Sequence, residues 1–473
     1  MMGVQAFLSA TRRAGIGVMA LVLAGCATFS QDGGMDEVSS LARERLGQSV
    51  SLEKTGPDAP VVSARVAELL AKPLAPDTAV QLALLNNRGL QASLAELGIA
   101  EADLVQAGRM RNPGFSFGRI RGGHDVEIER SIGIDLAGLF TMPLRTRIEN
   151  WRFAQAKLQA GAQAVKLASD TRKAYFNAVA AQQAVQYMEQ VGTAAEASAE
   201  LARRMAAVGN MSKLDQAREQ AFYADSTAQI ARARHNAIAA REQLARLMGV
   251  WGAQTAFKLP DRLPDLPKSP SADGDVEAQA MRQRLDVLMA RQDAESTASA
   301  LGLAKATGFI SVFHVAYQNK STTDAPRENG YEVELELPIF DWGRARTAKA
   351  EAIYMQSVHR AAETAVRARS EVREAYSAYR TSYDIAKHYL EEVVPLRKKI
   401  SEEMLLRYNG MLVGVFELLA DARSQVNSVN AAIEAQRDFW LADSELQAAI
   451  HGTGSGSTVL RGQASGEASA QAH

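Results

Sequence analysis

The chain has 473 residues, a near-balanced 53 Lys+Arg against 54 Asp+Glu, and a single cysteine. Its length is ample for a sizeable core. One Cys excludes an intramolecular disulfide or a thiolate-rich zinc site, and a net charge of −1 argues against a protein built to coat nucleic acid.

Residues 1–25 carry Arg12 and Arg13, no acidic residue, and an apolar run from Ile16 to Leu23. This is the charged n-region and short h-region of a secretory signal, too short to span a bilayer as a mature helix. It ends Leu23-Ala24-Gly25-Cys26, which resembles the lipobox of bacterial lipoproteins. The resemblance implies cleavage before Cys26 and lipid on both its sulfur and its new amine, enough chains for stable anchoring. Ala27, in place of an Asp, implies an outer-membrane destination. Loss of the signal removes two cations and no acid, taking the net charge to −3. Residues 30–75 show little periodicity and read as extended, within a lipid-anchored N-terminal arm over 26–75. No later stretch reaches about 18 apolar residues, so a mature chain that crosses a membrane must do so by strands of a closed barrel.

The body reads as one unit written twice, over 76–252 and 275–451. Leu139-Phe140 with Arg145 and Arg147 recurs as Ile339-Phe340 with Arg344 and Arg346, and Val208-Gly209 as Asn409-Gly410. In the first copy a helix is expected from about Thr78 to Arg111, stopped by Asn112-Pro113-Gly114. Strands follow at Phe115–Arg121 and Val126–Asp135, then a helix from about Leu144 to Val208 and a second long helix. Residues 253–274 contain Pro260, Pro264, Pro267 and Pro270 and read as a linker. The second copy has strands at Phe309–Gln318 and Tyr331–Ile339. Its long helix carries Val372, Tyr376, Tyr379, Tyr383, Ala386, Leu390, Val393, Ile400 and Met404 at alternating spacings of four and three, broken only by Arg397. That is an a/d seam, the pattern of coiled-coil packing. Pro395 should bend this helix. Residues 452–473, rich in Gly, Ser, Ala and Gln, read as a disordered tail.

The strands alternate strictly. Val126, Ile128, Ile132 and Ile134 oppose Glu127, Glu129, Ser131 and Asp135, while Tyr331, Val333, Leu335, Leu337 and Ile339 oppose Glu332, Glu334 and Glu336. Such alternation fits a half-buried soluble sheet or a barrel with lipid outside and water inside. Four strands are too few for known closed barrels, which need about eight or more. A membrane reading therefore requires an oligomer, and a cyclic trimer gives twelve strands with every edge paired.

Three stretches now carry a family resemblance. Asp77-Thr78-Ala79-Val80-Gln81-Leu82-Ala83-Leu84-Leu85-Asn86-Asn87 looks like an opening helix, Leu337-Pro338-Ile339-Phe340-Asp341-Trp342-Gly343-Arg344 like a strand-to-helix junction, and Arg407-Tyr408-Asn409-Gly410 with Glu417-Leu418-Leu419 like a helix–helix turn. In order, duplicated and behind a lipobox, they resemble the TolC-like outer-membrane efflux channels, lipid-anchored branch, over about residues 74–450.

The resemblance implies a mainly α fold with a small β part. Each chain would give long coiled-coil helices to an α-barrel and four strands to a trimeric twelve-stranded β-barrel in a Gram-negative outer membrane. It implies a homotrimer that meets outer-membrane lipid, docks a periplasmic adaptor and, through it, serves an inner-membrane pump. Small molecules or metal ions would be the cargo, passed on without enzymatic chemistry. Gly209 and Gly410 would take left-handed conformations in the tip turns, with Val208, Asn210, Met211, Asn409, Met411 and Leu412 as adaptor contacts. Asp215 stands where the family keeps a gate carboxylate after the tip Gly. Glu417 and Asp421 are displaced from that spacing in the second copy. Glu127, Glu129, Glu332, Glu334 and Glu336 would ring the barrel lumen, and Gly122-Gly123-His124 and Asn319–Gly330 would be extracellular loops. The seven histidines are scattered, no nucleophile or Walker motif is present, and no metal or cofactor is expected. A rival reading is a periplasmic coiled-coil scaffold lipoprotein with a small soluble sheet.

Overall fold

Residues 28–52, 59–270, 275–306, 313–335, 340 and 342–453 are described by a computed structural model. The expectations for Cys26, Glu336 and the tail beyond residue 453 lie outside them. In chain order the elements are α1 (Met35–Leu46), α2 (Ala59–Leu70), α3 (Pro76–Asn86), α4 (Arg88–Ala107), β1 (Gly114–Gly122), β2 (Asp125–Asp135), α5 (Leu136–Ala207) and α6 (Lys213–Met248). A single 3-10 turn, Gly252–Thr255, precedes α7 (Val276–Gln283), α8 (Leu285–Ala306), β3 (Phe313–Thr322), β4 (Glu328–Leu335) and α9 (Arg344–His388). A π-helical segment, Tyr389–Val393, then leads into α10 (Val394–Asn409) and α11 (Val415–His451). The order helix, helix, strand, strand, long helix, long helix thus occurs twice. No described helix is long and apolar enough to cross a membrane.

Several boundaries differ from the sequence expectation, each for a local reason. The N-terminal arm is largely helical among its described residues: it contains α1 and α2, with Val38, Ala42 and Val66 buried. The helix expected over Thr78–Arg111 is two helices, because Asn87 adopts an extended backbone (φ −71°, ψ 115°) and its Oδ1 accepts the Leu90 N–H at 2.9 Å, capping α4. The first long helix begins at Leu136, eight residues early. Asp135, the last residue of β2, accepts the Gly138 N–H at 2.8 Å and starts the helix before Pro143, which sits inside it. At 72 residues α5 is ~108 Å long. Around Pro395 the backbone widens into the π turn, and α10 restarts with that proline in its first turn, where its missing N–H has no helical partner to lose.

Two compact units arise, and both draw on each sequence copy. The first comprises 1–37, 94–159 and 288–364; the second comprises 38–93, 160–287 and 365–473. In the first unit the sheet is joined by segments of α4, α5, α8 and α9. Glu101, buried on α4, accepts from both the N–H and the Oγ of Ser30 (2.6 and 2.5 Å), and Thr297 on α8 hydrogen-bonds Ser357 on α9 at 2.7 Å.

The second unit holds the main cores. Tyr175 and Phe176 of α5, Leu244 and Met248 of α6, and Leu74, Ala79 and Leu82 form one cluster. The expected linker joins this cluster: Phe257, Leu259 and Leu263 are buried in it, and the Pro264 carbonyl accepts from Gln436 Nε2 (2.7 Å) and Trp440 Nε1 (3.1 Å). Its prolines stiffen a packed segment. Burial pushes the Tyr175 hydroxyl up to about 12, and its OH donates to the Leu74 carbonyl at 2.9 Å. The other cluster sets Val372, Tyr379, Tyr383 and Ala386 of the a/d seam against Phe439, Leu446 and Ile450 of α11. Beyond Ala386 the seam weakens: Leu390, Val393, Ile400 and Met404 are only half-buried.

His451 closes α11 with 9 % exposure, and its Nδ1 is enclosed without a partner. Burial, reinforced by Arg45 and Arg172, pulls its pKa down to about 4. The folded state therefore binds fewer protons than the unfolded state between about pH 4 and 6.5, so His451 subtracts stability as pH falls through that window. A His451→Gln variant should lose less on acidification than the wild type, by on the order of 2–3 kcal/mol at pH 4. Paired thermal melts from pH 7 to 4 measure the difference, and parallel curves would remove His451 as the cause.

Candidate functional site

The sheet is antiparallel with order β1-β2-β3-β4, so β1 and β4 are edges, each paired on one side within the chain. The register Glu129↔Lys320, Ser131↔Gln318, His314↔Glu334 and Ala316↔Glu332 places the described lumen candidates on one face. Glu127, Glu129, Glu332 and Glu334 share that face with Lys320, which pairs with Glu127 and lies 3.6 Å from Glu129. The acidic face is thus partly neutralised from the neighbouring strand, and among the described residues Ile120 is its one large apolar member. The other face carries Phe115, Phe117, Ile132, Ile134, Val333, Leu335 and Tyr331, the last 82 % exposed. Sequence alternation found both faces, but β3 continues four residues past its expected end, to Thr322, while the expected residues 309–312 lie outside the described residues. The turn after it is therefore only residues 323–327, and Asn319–Thr322 and Glu328–Gly330 are strand rather than loop. The β1–β2 turn is tighter, residues 123–124, with Gly123 in the left-handed region (φ 63°).

The helix–helix turns of the second unit have matching geometry with a shifted register. After α5, Gly209 (φ 79°) donates to the Ala206 carbonyl (3.1 Å) and Asn210 to the Met205 carbonyl (2.9 Å), the two bonds of a Schellman C-cap. After α10 the same pair runs from Met411 to Tyr408 (3.0 Å) and Leu412 to Arg407 (2.9 Å). Gly410, expected in the left-handed region, has φ −80°. Met411 takes that conformation instead, at φ 57° and 94 % exposure. Met411, not Gly410, is the structural counterpart of Gly209.

This correction realigns the carboxylates. Ser212, three residues after Gly209, caps α6 by accepting the Asp215 N–H (3.1 Å), while its hydroxyl donates to Asp215 Oδ2 (2.6 Å). Three residues after Met411, the Gly414 N–H donates to Glu417 Oε2 at 2.8 Å. Asp215 and Glu417 are therefore equivalent, both capping carboxylates in the first turn of the outgoing helix. Asp421 is half-buried, with Oδ2 enclosed and unpartnered. Val208, Asn210, Asn409 and Leu412 are exposed at the turns, whereas Met211 is half-buried.

Sequence reading missed Glu219. One turn beyond Asp215 and 2 % exposed, it accepts from Ser198 Oγ of α5 (2.9 Å) and from Arg423 Nη2 of α11 (3.4 Å). The Arg423 guanidinium lies 4.3 Å from the Phe222 ring centre. A Glu among the charged residues of a polar helix gives no sequence signal of burial.

The backbone conformation at the tips is separately testable. Gly209→Ala should cost ~1 kcal/mol although nothing lies within 4 Å of the added Cβ, because the cost is in φ. Met411→Gly should gain a comparable amount, and Gly410→Ala should be near neutral. Denaturant midpoints order the three; a Gly410 effect larger than Gly209's would reverse the assignment.

Long helices in duplicate with a four-stranded sheet whose two faces are both exposed define the TolC-like channel fold, and the chain has it. No family model matches the sequence, and no curated protein does. Among solved structures, the chain is similar to a membrane protein from Pseudomonas aeruginosa (21 % identity, TM-score 0.69, covering 82 % of this chain and 93 % of that one). It is also similar to the outer membrane protein VceC of Vibrio cholerae (17 %, 0.65, 83 % and 97 %) and to the Neisseria gonorrhoeae MtrE outer membrane channel in its open state (18 %, 0.66, 82 % and 90 %). At these identities the likeness is one of fold. Among the described residues no group of three His, Cys, Asp or Glu is placed to hold a metal ion.

Proposed function

We propose that the chain is the outer-membrane exit duct of a tripartite efflux system: a passive homotrimeric channel, lipid-anchored at Cys26. The observation that carries this reading is the sheet. It has two unpaired edges, an exposed apolar face and an acidic opposite face, and a lipid-facing sheet cannot keep open edges. Three chains close twelve strands, with Glu127, Glu129, Glu332 and Glu334 turned to water as charge rings that favour cations. The coiled-coil helices continue the path into the periplasm. Exposed Val208, Met411 and Leu412 at their turns supply an apolar docking surface for a periplasmic adaptor linked to an inner-membrane pump. Asp215, Glu417 and Asp421 form the gate region, and the cargo is small molecules or metal ions. The test is trimer migration on a gel without and with heating, together with conductance in a planar bilayer. A heat-sensitive trimer with cation-preferring conductance is the expected result. A monomer without conductance supports the scaffold lipoprotein instead. Cys26→Ser should abolish lipid labelling while the trimer persists, since closure of the strands holds it in the membrane.

A further inference from the structure

The apolar face of the sheet is interrupted in one place, on the half nearer the strand–strand turns. There β1 carries Arg119 and Arg121 and β2 carries Arg130, all exposed. The register sets Phe117 opposite Arg130 and Arg119 opposite Ile128, so Arg119 and Arg130 are diagonal neighbours within reach of one ligand. All three lie on the same face as Phe115 and Ile132, and every carboxylate of the described strands lies on the other face. Arg130 Nη1 donates to Asn319 Oδ1 (3.2 Å), and Asn319 Nδ2 donates to Asn329 Oδ1 (2.8 Å), so a polar row crosses β2, β3 and β4 at this level. The Arg119 and Arg121 side chains have no ion-pair or hydrogen-bond partner among the described residues.

Unpaired guanidinium groups facing hydrocarbon are strongly disfavoured, whereas at the head-group level they bind phosphate by paired N–H donors. We propose that Arg119, Arg121 and Arg130 form a binding site for the phosphate groups of the outer-leaflet glycolipid, lipopolysaccharide. The inference rests on the channel reading, which puts the strand–strand turns outside and this half of the sheet in the outer leaflet. The apolar residues nearer the helices then meet acyl chains. Apolar contact below and three cations above match a ligand with acyl chains and a phosphorylated head, and the absence of acidic residues on this face among the described residues removes competition for the cations.

The test uses the full-length trimer in detergent, titrated with rough lipopolysaccharide, with phosphatidylglycerol and with inorganic phosphate, and reads the temperature of trimer dissociation. Lipopolysaccharide should raise it at concentrations where phosphatidylglycerol does little, and millimolar phosphate should not compete. The Arg119→Gln/Arg130→Gln variant should bind lipopolysaccharide about tenfold more weakly or worse, and Arg119→Lys/Arg130→Lys should recover part of the loss, with trimer migration and conductance unchanged in both. Equal effects of the two lipids, competition by phosphate, or unaltered affinity in the Gln variant would overturn the site. Failure of the wild type to form a conducting trimer would instead overturn the channel reading.

Discussion

Replacing Arg423 by Leu should destabilise the helical unit by about 3 kcal/mol, more than replacing its partner Glu219, and, if the chain works as the proposed channel, should raise its conductance. The asymmetry follows from exposure. The Glu219 side chain is 2 % exposed and that of Arg423 40 %. Without Arg423 the carboxylate stays buried with the Ser198 hydroxyl as its only donor, an uncompensated charge away from water. Without Glu219 the guanidinium can turn toward solvent while keeping its stem and the Phe222 ring. In the double variant Glu219→Leu/Arg423→Leu, the cost should fall well short of the sum, with a coupling above ~1 kcal/mol. The pair joins α6, a helix of the first copy, to α11, a helix of the second, so loosening it frees one hairpin to move against the other. Thermal melts give the stabilities, and single-channel recordings give the opening. Strict additivity with unchanged conductance would reduce the pair to a surface contact.

The legible and illegible parts of the chain divide along physical lines. Period-two alternation in Val126–Asp135 and Glu332–Leu335 found both faces of the sheet, because each side chain's environment there follows from its parity. The seam from Val372 to Ala386 was legible because large side chains recur at fixed intervals against α11. Helix starts were less legible: Asp135 and Asn87 each redirect the chain through a single side-chain oxygen, one ending a strand and one splitting a helix. The second tip was misaligned because glycine is the usual left-handed C-cap, while here Met411 takes that conformation one residue later. That displacement of one residue also obscured the equivalence of Asp215 and Glu417. Glu219 was invisible because its burial comes from Ser198 and Arg423, distant in sequence.

The other large effect should come from Arg284. Its side chain is 2 % exposed; Nε and Nη2 donate to Asp286 (3.0 and 2.7 Å), Nη2 to Glu371 (2.6 Å) and Nη1 to the Ala449 carbonyl (2.9 Å). Burial opposes its charge, but the hydrogen bonds it donates to Asp286 and Glu371 win, and the guanidinium is held above its ordinary pKa. Those four bonds tie the α7–α8 junction to α9 and to the last turn of α11, the beginning of the second copy to its end. Gly452 (φ 83°) closes the same cluster, since a Cβ there would stand 2.5 Å from Asp286 Oδ1. Arg284→Met should cost about 3–5 kcal/mol, because two partly buried carboxylates lose their shared cation. Arg284→Lys should recover little, as one ammonium on a flexible stem cannot reproduce a planar fork spanning three acceptors. Adding Asp286→Asn and Glu371→Gln to Arg284→Met should restore stability relative to Arg284→Met alone, since the cost lies mainly in stranded charge. Limited proteolysis between α10 and α11, read beside thermal melts, separates a local opening of the second copy from global loss of the fold. An Arg284→Lys variant as stable as the wild type would show that charge alone, not the geometry of the fork, holds the junction.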